Sequence, residues 1–370
     1  ALMSKSFDVC IRGDGAVGRT LALLLAKERL KVALVSLAPT LRPADIRAYA
    51  LNSASKQLLE SLRVWPGVSF ATPVQKMLVY GDDGGAVDFS AQASGQEALT
   101  WIVDVSQLES QLLQACSYQS LIETVDTPAP APLTIICEGQ KSSSRGQAGT
   151  QWTRRSYAQK AIAARLESDM PHGGIARQWF SRHGEVLALL PMGGSQGNSL
   201  ALVWSVSDER AALLENLPPE DFCTQLVAAC QHSVGNMRLT SPRASWPLAL
   251  GSADQWVGPG WALAGDAAHT VHPLAGQGLN LGLADATCLS QVLAGREYWR
   301  GLGDEKLLRR YERSRKAEVA AVGAVTDGLQ RLFAQTEPSW QSVRNWGMNG
   351  FAASRPLKNW LTRRAAGSSF

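Results

Sequence analysis

Residues 7–36 read FDVCIRGDGAVGRTLALLLAKERLKVALVS. The run 7–11 is short, apolar and rich in β-formers, which predicts a buried strand. Gly13, Gly15 and Gly18 follow as G-x-G-x-x-G. A helical pattern occupies 16–28, and a second β-rich run at 31–35 closes a βαβ unit. The glycine pattern is weak evidence alone and becomes specific here, after a strand and at the opening of a helix. Gly13 permits the tight turn, Gly15 lets backbone approach a pyrophosphate, and Gly18 lets helix pack on strand. The helix start at Ala16, Val17 and Gly18 then offers N–H groups and partial positive charge to phosphates. Such units usually end their second strand in Asp or Glu, which holds the ribose hydroxyls. That position falls here to Ser36, whose hydroxyl can bond a ribose without charge assistance.

The rest of the composition sets bounds around this unit. With 370 residues, the chain has room for two or three domains or one elaborated domain. Hydrophobic residues are 45% and charged residues 18%, which provides for a real core and excludes a disordered chain. A net charge of +4 with no dense basic stripe argues against a nucleic-acid partner. No apolar run approaches the ~20 residues of a spanning helix. The opening ALMSKS reads as a short tag scar, with no signal peptide. Cys10, Cys116, Cys137, Cys223, Cys230 and Cys288 form no C-x-x-C pair and sit in apolar contexts. They read as reduced thiols in a reducing, cytoplasmic setting. Tryptophan is over-used, at 12 against 8 Phe and 6 Tyr.

A second glycine cluster lies far along the chain. Residues 261–284 read WALAGDAAHTVHPLAGQGLNLGLA. A β-rich run at 261–264 ends in Gly265 and Asp266. A loop with His269, His272 and Pro273 follows. Gly276, Gln277, Gly278, Leu279 and Asn280 then open a helical pattern that runs to about Leu293. Two glycine-rich helix starts fit the two ends of one extended cofactor. His269 and His272 lack a third ligand with metal spacing, so no metal is expected.

The segment from Gly265 through Asp285 resembles the para-hydroxybenzoate-hydroxylase-like FAD monooxygenases. Among them it resembles most closely the ubiquinone-biosynthesis hydroxylases, whose motif is nearly GDAAHxxHPLAGQGLNLGLxD. Supporting matches are the D-x-R-x-x-A-L at 45–51 (DIRAYAL), YAQKAI at 157–162, PHG at 171–173, the run 187–191 and a tail at 344–364. The resemblance covers most of residues 7–366. It implies an α/β fold: an FAD-binding, Rossmann-like domain of the glutathione-reductase type, interleaved with an antiparallel β-sheet substrate domain and a C-terminal helical tail. The implied boundaries are 1–70, 104–150 and 251–335 for the FAD-binding parts, 71–103 and 151–250 for the substrate sheet, and 336–370 for the tail.

The resemblance also implies roles. FAD would lie extended with its ADP half on Gly13–Gly18. Ser36, Arg47, Glu138, Gly139 and Asp266 would contact it. The helix start at Gly276–Asn280 would face the flavin pyrimidine edge and stabilise its reduced anion. Pro273 and His272 would lie by the reactive edge of the ring. NADH or NADPH would reduce the flavin transiently, and oxygen would then be delivered to an electron-rich phenol. The implied substrate is a polyprenylated phenol or another aromatic compound.

Three features depart from that pattern. Ser36 is one. Glu138 stands where the family's D-G-x-x-S-x-x-R has Asp, with Gly139, Ser142 and Arg145 in place. Only about sixteen residues, Pro-rich and loop-like, separate the helix at 106–116 from the strand at 133. Beside FAD-dependent ring hydroxylation in ubiquinone biosynthesis, two readings therefore stay open. One is a catalytically impaired relative serving as a binding or assembly subunit of a quinone-biosynthesis complex. The other is an FAD monooxygenase of another aromatic substrate. Basic stretches at 309–316 and 358–364 read as solvated faces or as peripheral contacts with a membrane or multi-enzyme complex. His172, His183 and His232 read as surface or satisfied core residues.

Overall fold

The strand Val9–Arg12 pairs in parallel with Val32–Val35 on one side and Leu133–Ile136 on the other. The computed structural model describes residues 6–36, 45–81, 86–139, 142–181, 183–270 and 278–334. The inner sheet has six strands, in the order Val257–Gly258, Trp261–Leu263, Leu133–Ile136, Val9–Arg12, Val32–Val35, Ile122–Val125. All neighbours are parallel except the first pair, a short antiparallel hairpin. The central strands are mostly apolar and buried, with Arg12 only at the end of the first, as covered faces on both sides require.

The helices in chain order are α1 (Ala16–Lys27), α2 (Ser53–Ser61), α3 (Val105–Tyr118), α4 (Ser143–Gln147), α5 (Asp208–Asn216), α6 (Pro219–Ala229), α7 (Gly278–Ala294) and α8 (Glu305–Ala334). In α1, Gly18 and Thr20–Leu23 are buried together with Leu25 and Ala26, since it packs on the sheet and on neighbouring helices. It stops because Arg29 turns left-handed (φ +62), which lets the Leu30 N–H bond the Leu25 carbonyl at 3.2 Å. Side chains cap α2, α3 and α5: Asn52 accepts from the Ser55 N–H, Asp104 from Ser106, and Ser207 from Arg210. Helix α6 opens on Pro219, where a missing N–H costs nothing.

A second sheet of nine strands is built on the long strand Trp152–Ser168. That strand is flanked by Ser199–Ser207 and Ala244–Ala253, both antiparallel. A third sheet joins Ala48–Leu51, Thr100–Asp104 and Ala71–Val74. Small apolar residues fill the space between these two sheets, among them Ala48, Ala50, Ala176, Ala188 and Ala201.

Two local readings of the sequence need correction. The stretch between α3 and residue 133 is not all loop, because Ile122–Val125 forms an edge strand there and completes the inner sheet. Its Val125 carbonyl accepts the Ser36 N–H at 2.9 Å. The large sheet is not purely antiparallel, because Ile175–Phe180 runs parallel to Lys76–Tyr80. Within the stretch 237–253 the chain forms two strands, Met237–Leu239 and Ala244–Ala253, rather than one. The tail motif at 344–364 lies outside the described residues.

Candidate functional site

The glycines of the first motif divide into two kinds. Gly13 has φ +120, and a Cβ there would sit 2.4 Å from the Cys137 carbonyl oxygen. A Cβ on Gly18 would sit 2.0 Å from the Gly13 carbonyl oxygen. Both glycines exist to let protein pack on protein. Gly15 differs: nothing lies within 4 Å of its Cβ position, and its φ is an ordinary −75°. It caps α1 without any side-chain bond, and the first bond inside the helix is Arg19 N–H to Gly15 O at 3.0 Å. No acidic residue sits in the first turn. The N–H groups at the start of α1 therefore have no side-chain cap and carry a partial positive charge beside the open space at Gly15. This is a cradle that fits a pyrophosphate, so the residues present suit a dinucleotide.

The second glycine cluster packs directly on the first. Gly265 has φ +64, with Val17 3.4 Å from its Cβ position. Gly282 on α7 brings its Cβ position within 2.6 Å of Val17 Cγ2, so any side chain there would push α7 away from α1. The fold thus unites motifs far apart in sequence, as expected for one extended ligand. Gly278 and Leu279 are half-buried at the opening of α7. Asn280 is buried and its side chain is spent on protein. Its Oδ1 accepts from the Asn52 N–H (3.0 Å) and Ser55 Oγ (2.7 Å), and its Nδ2 donates to the Ala50 carbonyl (2.8 Å). Any contact it makes with a cofactor would run through its backbone. His272, Pro273, Gly276 and Gln277 lie outside the described residues.

Arg47 and Asp266 lie near enough to influence one another electrostatically. Asp45 grips the Arg47 guanidinium at 2.6 Å, and Arg47 Nη1 donates to Tyr49 Oη at 3.1 Å. The Asp45 hydrogen bonds raise the Arg47 pKa against the partial desolvation of its guanidinium. The Tyr49 hydroxyl is pushed up to about 12, chiefly by burial. Asp266 opens into the crevice, yet crowding by protein raises its pKa, with His269 and Arg47 pulling it back.

Glu138 does not project a free carboxylate. It accepts from Ser142 Oγ (2.9 Å), the Ser144 N–H (3.2 Å) and Ser144 Oγ, and so caps α4. Arg12 Nε stands 3.6 Å away. Gly139 is left-handed (φ +83) with nothing near its Cβ position. Arg145 is buried and donates to the Ala267 carbonyl at 3.0 Å while lying 3.8 Å over the Trp152 ring. It ties this motif to the Gly265–Ala267 turn.

The strongest polar cluster had no assigned role in the sequence. Asp285 on α7 is wholly buried. Its Oδ2 accepts from the Gly265 N–H (2.9 Å) and meets His269 Nε2 at 2.5 Å, while its Oδ1 accepts from Arg315 Nε on α8 at 2.7 Å. Burial raises its pKa, but His269 and Arg315 outweigh this and hold it below the usual value. Tyr311 adds a bond from its hydroxyl to the Leu263 carbonyl at 2.7 Å. Together these groups fix the turn that carries Asp266. The motif's final Asp was visible in sequence, but its partner Arg315 is 30 residues further on and only the fold reveals it. His172 is satisfied by the Met192 carbonyl (2.9 Å) and the Gly174 N–H (3.0 Å), a structural role.

Comparison with known proteins gives the family. A family model described as FAD binding domain matches residues 122–326, more than half of the chain. The chain is 30% identical to ubiquinone hydroxylase UbiL of Rhodospirillum rubrum, covering 98% of this chain and 90% of that one. It is 28% identical to the 3-demethoxyubiquinol 3-hydroxylase of Escherichia coli, covering 99% of this chain and 100% of that enzyme. The fold matches the crystal structure of PqsL, a probable FAD-dependent monooxygenase from Pseudomonas aeruginosa. That match has a TM-score of 0.76 at 21% identity, over 93% of this chain and 99% of that one. With a family match across most of the inner sheet and relatives aligned end to end, the chain belongs to the FAD-binding-domain family of flavoprotein monooxygenases.

Proposed function

We propose that the protein is an FAD- and NAD(P)H-dependent hydroxylase of a polyprenylated aromatic ring in ubiquinone biosynthesis. The observation that carries this reading is the junction of the two glycine motifs at Val17, which aligns the open start of α1 with the Gly265–Asp266 turn. Relatives named for ubiquinone hydroxylation align over nearly all of the chain. The flavin, when bound, supplies the hydride-accepting and oxygen-activating chemistry. The chain supplies the rest. The N–H groups opening α1 would bind the pyrophosphate, and Arg47 and Asp266 would orient the remainder of the cofactor. The Asp285 network would keep the Asp266 turn in place. Pro273 and His272 would border the reacting ring.

The test is spectroscopic and then kinetic. Purified protein should take up FAD with a bound-flavin absorbance. It should then oxidise NADH or NADPH faster when a prenylated phenol is added. FAD uptake with stimulation only by short phenols would favour another aromatic substrate. Stable FAD-free protein that co-purifies with partner enzymes would favour an assembly role.

No described helix is long and apolar enough to cross a membrane. A polyprenylated substrate nonetheless resides in lipid, and a peripheral contact would give access to it. Tyr298 (95% exposed) and Trp299 (66%) project side by side between Arg296 and Arg300, near the start of α8. Arg300 is paired with Glu297 and Asp304, so the rings themselves are what suit a bilayer interface. Replacing both rings by alanine should reduce co-sedimentation with anionic phospholipid vesicles several-fold and leave FAD uptake unchanged. Equal sedimentation of both proteins would rule this patch out.

A further inference from the structure

The missing acid at the end of the second strand has a replacement. Asp14 is the residue between Gly13 and Gly15, and its Oδ2 accepts a hydrogen bond from Ser36 Oγ at 2.6 Å. We propose that Asp14, aimed by Ser36, is the acceptor for the ribose diol of the adenosine half of the cofactor. This rests on the FAD reading and adds to it a binding residue in an unexpected place.

The geometry supports the assignment from three sides. First, the position is right. A strand-end acid normally reaches the ribose from the residue that is Ser36 here. A carboxylate bonded to the Ser36 hydroxyl occupies that same corner, reached from the glycine turn rather than from the strand. Second, the group has spare capacity. Among the described residues, Asp14 Oδ1 accepts no hydrogen bond, and the side chain is 17% exposed. An ionised carboxylate offers about four acceptor sites, so one oxygen and part of the other remain for two hydroxyls. Third, the charge is balanced. Arg19 Nη2 on α1 stands 3.6 Å from Asp14 Oδ2. That cation, with the positive end of the helix, lets a carboxylate sit near a pyrophosphate without prohibitive repulsion. Asp14 caps no helix, since α1 has no side-chain cap. Its bond from Ser36 and its ion pair with Arg19 both use Oδ2 and leave Oδ1 for a ligand.

Ser36 also changes meaning. It donates its proton to Asp14 and is fixed by its own N–H on the Val125 carbonyl. It becomes a positioning residue for Asp14 rather than a weaker stand-in for the lost acid.

The experiment measures FAD affinity by quenching of flavin fluorescence on the apoprotein, for wild type, Asp14→Asn, Asp14→Ala and the double variant Asp14→Ala with Ser36→Glu. A charge-assisted bond is worth about 1.5–3 kcal/mol, so removing it should weaken FAD roughly tenfold to hundredfold. The double variant restores an acid at the strand end and should recover most of that loss. A second arm displaces FAD with ADP and with 2′,3′-dideoxy-ADP. Wild type should prefer ADP, and Asp14→Asn should lose that preference. Unfolding midpoints of the apoproteins identify any variant that does not fold, and the near-isosteric Asp14→Asn protects against that outcome. FAD binding by Asp14→Asn within twofold of wild type overturns the proposal while leaving the FAD reading intact. An undiminished ADP preference in Asp14→Asn does the same. Wild-type protein that binds neither FAD nor ADP overturns both.

Discussion

Replacing Asp285 by alanine should lower the unfolding free energy by about 3–5 kcal/mol, the range for breaking a buried charge pair by removing one partner. The substitution takes from the Arg315 guanidinium, which is 2% exposed, its buried carboxylate partner and leaves it only Glu318 and the Leu281 carbonyl; it also leaves His269 Nε2 without its partner and frees the Gly265 N–H. Removing both charges should cost less than removing one. The double variant Asp285→Ala with Arg315→Met is thus expected to be more stable than Asp285→Ala alone. Urea unfolding of the four proteins in the cycle measures both terms. The pH dependence has a definite sign. His269 and Arg315 hold the Asp285 carboxyl below its unfolded value, so its contribution is complete above about pH 4. The contribution is lost as pH falls through the depressed folded value, and the gap between wild type and Asp285→Asn should close there. A gap that instead opens on acidification would mean that the buried carboxyl is protonated in the native protein.

The same cluster shows why the sequence was legible in some places and opaque in others. The βαβ unit could be read because its evidence is local: a run of β-formers, glycines at fixed spacing and a helical period all lie within 30 residues. Gly265–Asp285 could be read for the same reason. Asp285 and Arg315, by contrast, meet only because α7 and α8 pack together, and nothing in the period of either helix announces it. Asp14 and Ser36 are 22 residues apart and adjacent only once the strand Val32–Val35 lies beside Val9–Arg12. The edge strand Ile122–Val125 was hidden by prolines at 128, 130 and 132, which follow it and do not interrupt it. The parallel pairing of Ile175–Phe180 with Lys76–Tyr80 joins segments about a hundred residues apart, beyond the reach of any hairpin signal.

The tryptophan excess also acquires a partial cause. Trp204 and Trp256 are among the largest wholly buried side chains, and Trp101 and Trp179 are buried as well. Two others lie against glycine. The Cβ position of Gly251 is 2.2 Å from Trp152, and that of Gly258 is 2.4 Å from Trp261. Large rings opposite bare backbone fill strand crossings that smaller residues would leave open. Trp299 belongs to the exposed patch, and Trp340, Trp346 and Trp360 lie outside the described residues.

Alanine at Gly15 should weaken FAD binding about a hundredfold while leaving the apoprotein's stability nearly unchanged, and alanine at Gly13 should do the reverse in order of cause. At Gly15 the backbone is already in a conformation that alanine adopts, and its methyl group meets no protein atom. Replacing glycine by alanine there carries no steric cost in the empty fold and removes some unfolded-chain entropy. The methyl group would instead occupy the space a pyrophosphate must enter to reach the N–H groups of α1. Loss of one such charge-assisted bond, with displacement of a second, accounts for a hundredfold change, about 2.7 kcal/mol. At Gly13 the φ of +120° strains any L side chain by about 1–3 kcal/mol. The methyl group would also collide with the Cys137 carbonyl, adding an overpacking cost of about 1–3 kcal/mol. That protein should unfold at lower urea even without cofactor, and its loss of FAD would follow from the distorted turn. Paired measurements of apoprotein unfolding and FAD affinity separate the two glycines. If Gly15→Ala binds FAD as wild type does, the open start of α1 is not where the pyrophosphate lies, and the cofactor assignment would have to move away from the first glycine motif.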